Sequence, residues 1–148
     1  MYINERKLPL IVSNDDAYAL IGDKFMPGAG ASLQAIIKGC NLKPKSSHEA
    51  TDEPGTYDLI GKPNPFTIQL IREEHDLDLK GETTVMIGDR PNTDILFGKA
   101  GGLQQCLVLS GVVRGIEDFK QNWLPEHPEY CPTHVIEMVG DLDATVPE

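Results

Sequence analysis

Alternating strand and helix patterns restrict the fold of this chain more than any other feature of its sequence. Short apolar segments with the length of buried strands span residues 8–13, 57–60, 83–87 and 105–109. Apolar residues at helical spacing follow the first three of them, at residues 32–38, 65–71 and 94–100. Repeated βα units favour a parallel sheet covered by helices on both faces, with ligands at the carboxyl ends of the strands. The sequence therefore predicts an α/β fold.

Charge excludes two classes of partner. The chain has 13 Lys and Arg against 23 Asp and Glu, which gives a formal net charge of -10. A charge of this sign repels nucleic acid and anionic membrane surfaces. No segment approaches the roughly 18 consecutive apolar residues that a membrane-spanning helix needs. We therefore expect neither a nucleic acid nor a membrane partner.

The cysteines predict a reducing environment. Cys40, Cys106 and Cys131 are odd in number, widely spaced and free of any C-x-x-C pair. Neither a disulfide framework nor a zinc site is indicated by this spacing. A cytosolic setting is therefore expected.

Proline and glycine predict the irregular segments. Residues 41–56 are poor in apolar side chains and contain prolines, which predicts a mobile surface loop. The run Pro27-Gly28-Ala29-Gly30 is predicted to be the entry to a helix, because one loop with two glycines is weak support for a phosphate cradle. Gly39 is expected to cap that helix.

The strongest chemical signal is the run at residues 87–95. An apolar strand delivers Asp89 to its carboxyl end, and a helix is predicted to begin near Asp94. Carboxylate oxygens at such an edge suit Mg²⁺, which takes one or two protein carboxylates together with waters and phosphate oxygens. The alternative is structural, with Asp94 as a carboxylate favoured at a helix amino terminus and Asp89 as a turn residue.

A second signal places a cation at the same edge. Gly61-Lys62-Pro63 follows the strand at residues 57–60. Phosphoryl transfer depends mainly on positioned positive charge around the transferring group, which a lysine ammonium supplies. The alternative is a solvated surface lysine.

These motifs together resemble a known family. The run GKPNP at residues 61–65 and the run VMIGDRPNTDILFGKAGG at residues 85–102 resemble the p-nitrophenylphosphatase, phosphoglycolate phosphatase and pyridoxal phosphate phosphatase branch of the haloacid dehalogenase (HAD) superfamily. The resemblance extends back through IVSNDDAY and MPGAGASLQAII and forward through LVLSGV at residues 107–112. It covers residues 8–113.

The resemblance implies a function, the Mg²⁺-dependent hydrolysis of small phosphate monoesters, and a site. Lys62 corresponds to the charge-balancing lysine, Asp89 to the residue that ligates Mg²⁺, and Asp94 to a second acid that supports the lysine or the water shell of the metal. Ser13, Asn14 and Asp16 match a motif where the cap returns to the core. Asn14 and Asp16 are expected to bind the substrate, with Asp15 and Asp16 facing the cleft, and the alternative is a plain turn. The expected partner is a small phosphorylated metabolite.

The resemblance also implies a division into domains. Residues 1–26 correspond to the end of a cap domain and its return to the core. Residues 27–148 correspond to the carboxy-terminal part of the core, a partial Rossmann-like sheet flanked by helices.

One family motif is missing after the predicted strands. Members carry a D-x-D motif whose first aspartate attacks phosphorus, whereas Ser13-Asn14-Asp15-Asp16 lacks the one-residue gap. The D-x-D-x-T run that begins at Asp141 has only three residues after it and is interpreted as a charged tail.

The chain is therefore expected to be catalytically incomplete. The alternatives are a non-catalytic phosphate- and metal-binding module, or a truncated gene product. A homo-oligomer, or association with a complementing amino-terminal half, is left open.

Overall fold

The computed structural model describes residues 2–45 and 54–145, which contain eight strands and five α-helices. They form two compact units, residues 1–61 and 62–148. Each unit has a three-stranded parallel sheet accompanied by helices, so the predicted α/β fold is confirmed. The division at residue 26 between cap and core stays a prediction. No helix in the described residues combines the length and apolarity needed to cross a bilayer.

The first unit combines a parallel sheet with a hairpin. Its elements are α1 (Tyr2–Arg6), β1 (Leu10–Val12), β2 (Tyr18–Ile21), β3 (Lys24–Pro27), α2 (Ala29–Cys40), β4 (Lys43–Pro44) and β5 (Thr56–Leu59). The parallel sheet has the order β1-β5-β4, and β2 pairs with β3 in antiparallel fashion. The buried core of this unit consists of Val12, Leu33, Ile37, Cys40 and Leu42.

Helix α2 follows from the spacing of its apolar residues. Leu33, Ile37 and Cys40 recur at intervals of three and four and are all buried. The helix begins after Gly28, as predicted, but Gly39 is not its cap. The helix continues to Cys40, and Asn41 adopts the left-handed conformation with φ 53 while its N–H donates to the last carbonyls. Asparagine tolerates this conformation, so glycine is not needed.

The β2–β3 hairpin was not predicted. All four residues of β3 are exposed, so β3 shows no alternation of buried and exposed side chains. Strand β3 is stabilised instead by its pairing with β2. An edge-to-face contact between Tyr18 and Phe25, whose ring centroids lie 4.9 Å apart, adds to this pairing. The signal that was available is the two-residue Gly22-Asp23 connection, in which Gly22 has φ 64.

The loop predicted at residues 41–56 is only partly tested. Residues 46–53 lie outside the described residues. Lys43 and Pro44 form strand β4 and Thr56 begins β5, so the prediction was wrong at both ends. The two-residue strand β4 is too short to show a periodic pattern in the sequence.

The second unit is a βα arrangement followed by short helical turns. It contains α3 (Phe66–His75), β6 (Val85–Gly88), a π-helical turn (Pro91–Ile95), α4 (Leu96–Ala100), β7 (Gln104–Val108), α5 (Ile116–Asp118), a second π-helical turn (Phe119–Trp123), a 3-10 turn (Pro128–Tyr130), β8 (His134–Ile136) and a 3-10 helix (Val139–Thr145). Its sheet has the order β6-β7-β8, and all pairs are parallel.

The two faces of this sheet differ. On one face Leu107 and Met86 pack into buried clusters, whose other buried members are Ile95, Leu109, Val113, Phe119, Ile68, Phe97 and Leu103. The opposite face bears an open groove of about 580 Å³, lined by residues of the three strands together with Thr133 and Leu142. Val85 lies in this groove and is 44% exposed.

Helix α3 ends at a residue that is unfavourable in two respects, which leads to a stability prediction. Asp76 adopts φ 49, a conformation that glycine adopts at lower cost than aspartate, and its carboxylate lies at the negative end of the helix dipole. We expect Asp76→Gly to raise the free energy of unfolding by about 0.5–1 kcal/mol, as measured by urea denaturation. Asp78→Gly is the control, because Asp78 is exposed and is not among the residues with positive φ. A less stable Asp76→Gly chain would contradict this reasoning.

Candidate functional site

The site lies where β6 ends. The apolar strand Val85–Gly88 delivers Asp89 to its carboxyl end, as the sequence predicted. A helix was predicted to begin near Asp94; a π-helical turn starts at Pro91, and the regular α-helix begins at Leu96. Proline suits this first position, because its fixed φ matches a helix and its missing N–H is not needed there. The turn carries Asp94 into the interior, where it is 3% exposed.

Both carboxylate oxygens of Asp94 are engaged. Oδ1 accepts a hydrogen bond from Nζ of Lys62 at 2.5 Å. Oδ2 accepts from the backbone N–H groups of Asp89 at 3.1 Å and Arg90 at 3.0 Å. A buried carboxylate requires such partners, because an unpaired buried charge is very unfavourable. Asp94 therefore joins the end of β6 to the lysine, with both of its oxygens already accepting hydrogen bonds.

Lys62 is only partly buried by this ion pair. Its side chain is 48% exposed, whereas the side chain of Asp94 is 5% exposed. The carboxylate thus holds the ammonium from the protein side, and the exposed side stays open to solvent. Such an ammonium is held in place and is still accessible to an anion.

Asp89 has a different environment. It is half-buried, and its Oδ2 accepts a hydrogen bond from the Val112 N–H at 2.8 Å. Its backbone carbonyl accepts a longer one from the Val113 N–H at 3.4 Å. Within the part of the chain that the structure describes, no hydrogen bond reaches Oδ1 of Asp89. One oxygen is therefore anchored, and the other is left for a ligand.

This donor set fits Mg²⁺ only together with phosphate and water. Among residues 2–45 and 54–142 there is no group of three or more His, Cys, Asp or Glu side chains that could hold a metal. Mg²⁺ does not need such a cage, since it commonly takes one or two carboxylates and completes its shell with waters and phosphate oxygens. Asp89 Oδ1 is a hard oxygen ligand of the required kind.

Two glycines lie against the two carboxylates. A Cβ atom on Gly88 would overlap the Cβ, Cγ and Oδ2 atoms of Asp94. A Cβ atom on Gly111 would overlap Oδ2 of Asp89 and lie 2.6 Å from its Cβ and Cγ. The sequence reasoning missed a role for Gly111 and Val112. Their only signal was that they belong to the run at residues 107–112 that shares the family resemblance.

Asn14 and Asp16 lie in the other unit, after β1. Oδ1 of Asn14 accepts the backbone N–H of Asp16 at 2.7 Å. This side-chain bond to a backbone two residues ahead is the geometry of an Asx turn. It agrees with the alternative of a plain turn, and contact of either side chain with a substrate stays a prediction.

The D-x-D runs do not resemble a nucleophile strand. Asp141 lies in the 3-10 helix Val139–Thr145, is exposed, and accepts the N–H of Met138 at 2.9 Å. A second run, Asp76-Leu77-Asp78, was overlooked in the sequence and follows helix α3. Asp78 is 72% exposed and pairs with Lys80. Neither run lies at the end of a described strand.

Known proteins resemble almost the whole chain. It is 31% identical over 145 residues to glycerol-3-phosphate phosphatase of Rattus norvegicus, and the alignment covers 95% of this chain and 40% of that protein. It is 34% identical over 84 residues to chronophin of Homo sapiens, and this alignment covers 57% of this chain and 27% of chronophin. The structure resembles that of a 4-nitrophenylphosphatase from Thermotoga maritima, with a TM-score of 0.68 and 27% identity, over 93% of this chain and 44% of that one. The chain thus spans less than half the length of these relatives.

A family profile covers the residues of the site. The profile of HAD-hydrolase-like proteins matches residues 59–142, which is more than half of the chain and includes Lys62, Asp89 and Asp94. The relatives named above include phosphatases, in agreement with the resemblance noted in the sequence. The chain therefore belongs to the HAD-like hydrolases.

Proposed function

We propose that this chain carries the lysine and the metal-ligating carboxylate of a Mg²⁺-dependent phosphatase that acts on a small phosphate monoester. One observation supports this more than any other. The 2.5 Å ion pair between Lys62 and Asp94 is joined through the backbone N–H of Asp89 to a carboxylate with one free oxygen. A held cation and a hard oxygen ligand are thus joined at the end of one strand, as phosphoryl transfer requires.

Each side chain has a separate part in the proposed chemistry. Lys62 binds an oxygen of the transferring phosphoryl group through its exposed side, and Asp94 holds its ammonium in place. Asp89 offers Oδ1 to Mg²⁺, which when bound supplies positive charge to the phosphoryl oxygens. No D-x-D motif, which carries the attacking carboxylate in the family, directly follows a described strand. We therefore propose that residues 1–148 bind phosphate and metal without turning a substrate over.

The substrate class follows from the relatives and the charge. Glycerol-3-phosphate is the substrate named for the rat relative. We propose a phosphorylated metabolite of comparable size, in a cytosolic setting. The net charge of -10 argues against polyanionic substrates such as nucleic acid.

A second candidate is a binding module that a complementing polypeptide completes. The observation in its favour is the apolar sheet face, where Val85, Ile87, Cys106 and Ile136 line the open groove. In the described residues β6 pairs only with β7, so its other edge has free backbone groups. A strand that carried the attacking carboxylate would find both an edge and an apolar face here. Phosphatase activity that appears only on mixing with such a polypeptide would distinguish this candidate.

The decisive experiment is p-nitrophenyl phosphate hydrolysis with Mg²⁺ by residues 1–148, alongside Asp89→Asn and Asp141→Asn. We expect no turnover by any of them, with a folded chain by circular dichroism. Turnover by the wild type that disappears in Asp89→Asn would show that the chain contains its own nucleophile. If turnover also disappeared in Asp141→Asn, the nucleophile would lie in the tail. An unfolded chain would instead favour a truncated gene product.

Phosphate binding tests the lysine in the same samples. We expect Lys62→Gln to weaken binding of inorganic phosphate about tenfold, the value of one charge-assisted hydrogen bond. Binding is measured by ³¹P line broadening. Lys80→Gln is the matched control, since Lys80 is exposed and pairs with the exposed Asp78. Equal affinity in Lys62→Gln and Lys80→Gln would argue against the proposed phosphate site.

A further inference from the structure

The segment that follows β7 contacts Asp89 at two of its atoms. The Val112 N–H donates to Oδ2 at 2.8 Å, and the Val113 N–H donates to the backbone carbonyl at 3.4 Å. The segment is held by the core, because Leu109 is 6% and Val113 is 0% exposed. Asp89 is thus bound to a rigid part of the second unit, 23 residues away in the sequence.

Gly111 is required at its position for reasons of space. The three atoms nearest to a Cβ built on Gly111 all belong to the side chain of Asp89. Its φ is not in the left-handed region, so backbone conformation alone does not demand glycine. Any other residue at position 111 has to displace the Asp89 carboxylate. Glycine therefore permits the hydrogen bond between its neighbour Val112 and Oδ2.

We propose that the Gly111-Val112 segment positions Asp89, with Oδ2 anchored to the Val112 N–H and Oδ1 alone presented to a divalent cation. Gly111 is thus a positioning residue that touches neither cation nor substrate. The inference rests on the proposed function, because the cation is the one that function uses. A carboxylate with one anchored oxygen binds a metal through a single oxygen, which suits the octahedral geometry of Mg²⁺.

The first measurement is the affinity of residues 1–148 for Mn²⁺ alone, by electron paramagnetic resonance of the free ion. Loss of a partner that orients a metal ligand lowers metal affinity by about 10- to 100-fold, and we expect this of Gly111→Ala. Gly140→Ala is the matched control, because a Cβ there meets nothing within 4 Å. Phosphate binding without metal should be unchanged in both variants, whereas a general structural defect would weaken it. Wild-type Mn²⁺ affinity in a folded Gly111→Ala chain would overturn the proposal.

The second measurement needs neither metal nor a folded Gly111→Ala variant. A hydrogen bond to a carboxylate shifts an amide proton downfield, so the Val112 amide resonance should move upfield in Asp89→Ala and stay in place in Gly140→Ala. An unmoved Val112 resonance in Asp89→Ala would overturn the anchor. Absence of Asp89-dependent Mn²⁺ binding in the wild type, with the Val112 shift present, would reject the proposed function and leave the anchor supported.

Discussion

Replacing Asp94 with alanine is expected to lower the free energy of unfolding by about 3 kcal/mol, because two backbone N–H groups lose their acceptor in a buried position. These are the N–H groups of Asp89 and Arg90, which donate to Oδ2 at 3.1 and 3.0 Å. Asp94 is 3% exposed, so water has little access to replace the carboxylate. The lost ion pair adds little, because Lys62 is 48% exposed and is solvated instead. Urea denaturation of residues 1–148 measures the change.

Two variants isolate the cause. Asp94→Asn keeps an oxygen for the two N–H groups but turns its amide NH₂ towards Lys62, so we expect a loss of about 1 kcal/mol. Asp78→Ala removes an exposed carboxylate with an exposed lysine partner and should change stability by less than about 0.5 kcal/mol. If Asp94→Ala were no more destabilising than Asp78→Ala, the hydrogen bonds to Oδ2 would not contribute as argued.

The substitution Gly88→Ala is expected to lower the free energy of unfolding by a similar amount, through steric overlap with Asp94. The added methyl group would overlap three atoms of the Asp94 side chain, so either the strand end or the carboxylate has to move. Overpacking of this kind costs about 1–3 kcal/mol, and we expect the upper end because the hydrogen bonds of Asp94 are disturbed as well. The same displacement withdraws the acceptor of Lys62, so phosphate affinity should fall together with stability.

A double-mutant cycle tests this contact directly. In an Asp94→Gly background all three overlapped atoms are absent, so Gly88→Ala should there cost less than about 0.5 kcal/mol. Gly140→Ala is the control in both backgrounds, since its Cβ meets nothing within 4 Å. An equal cost of Gly88→Ala with and without the Asp94 side chain would show that the strain arises elsewhere.

The fold class and the strand ends that carry the site could be predicted from the amino-acid sequence alone. Apolar periodicity is a local property, and it located β5 and β6 to within two residues. The position of Asp89 after β6 follows from that periodicity. The β2–β3 hairpin was not predicted, because β3 is wholly exposed and shows no alternation of buried and exposed side chains. Strand β4 was not predicted, because two residues are too few to show a periodic pattern.

The pairing of hydrogen-bond donors with acceptors at the site depends on packing and was not predicted from the sequence. Lys62 pairs with Asp94, 32 residues away, and Asp89 receives the Val112 N–H, 23 residues away. Sequence spacing places Lys62 and Asp89 after two strands, which the structure assigns to different sheets, and it cannot distribute donors among acceptors. That distribution depends on which oxygens are buried and which side chain has room to approach, and both are properties of packing. The requirement for glycine at position 111 has the same origin, because it arises from a neighbour that is distant in sequence.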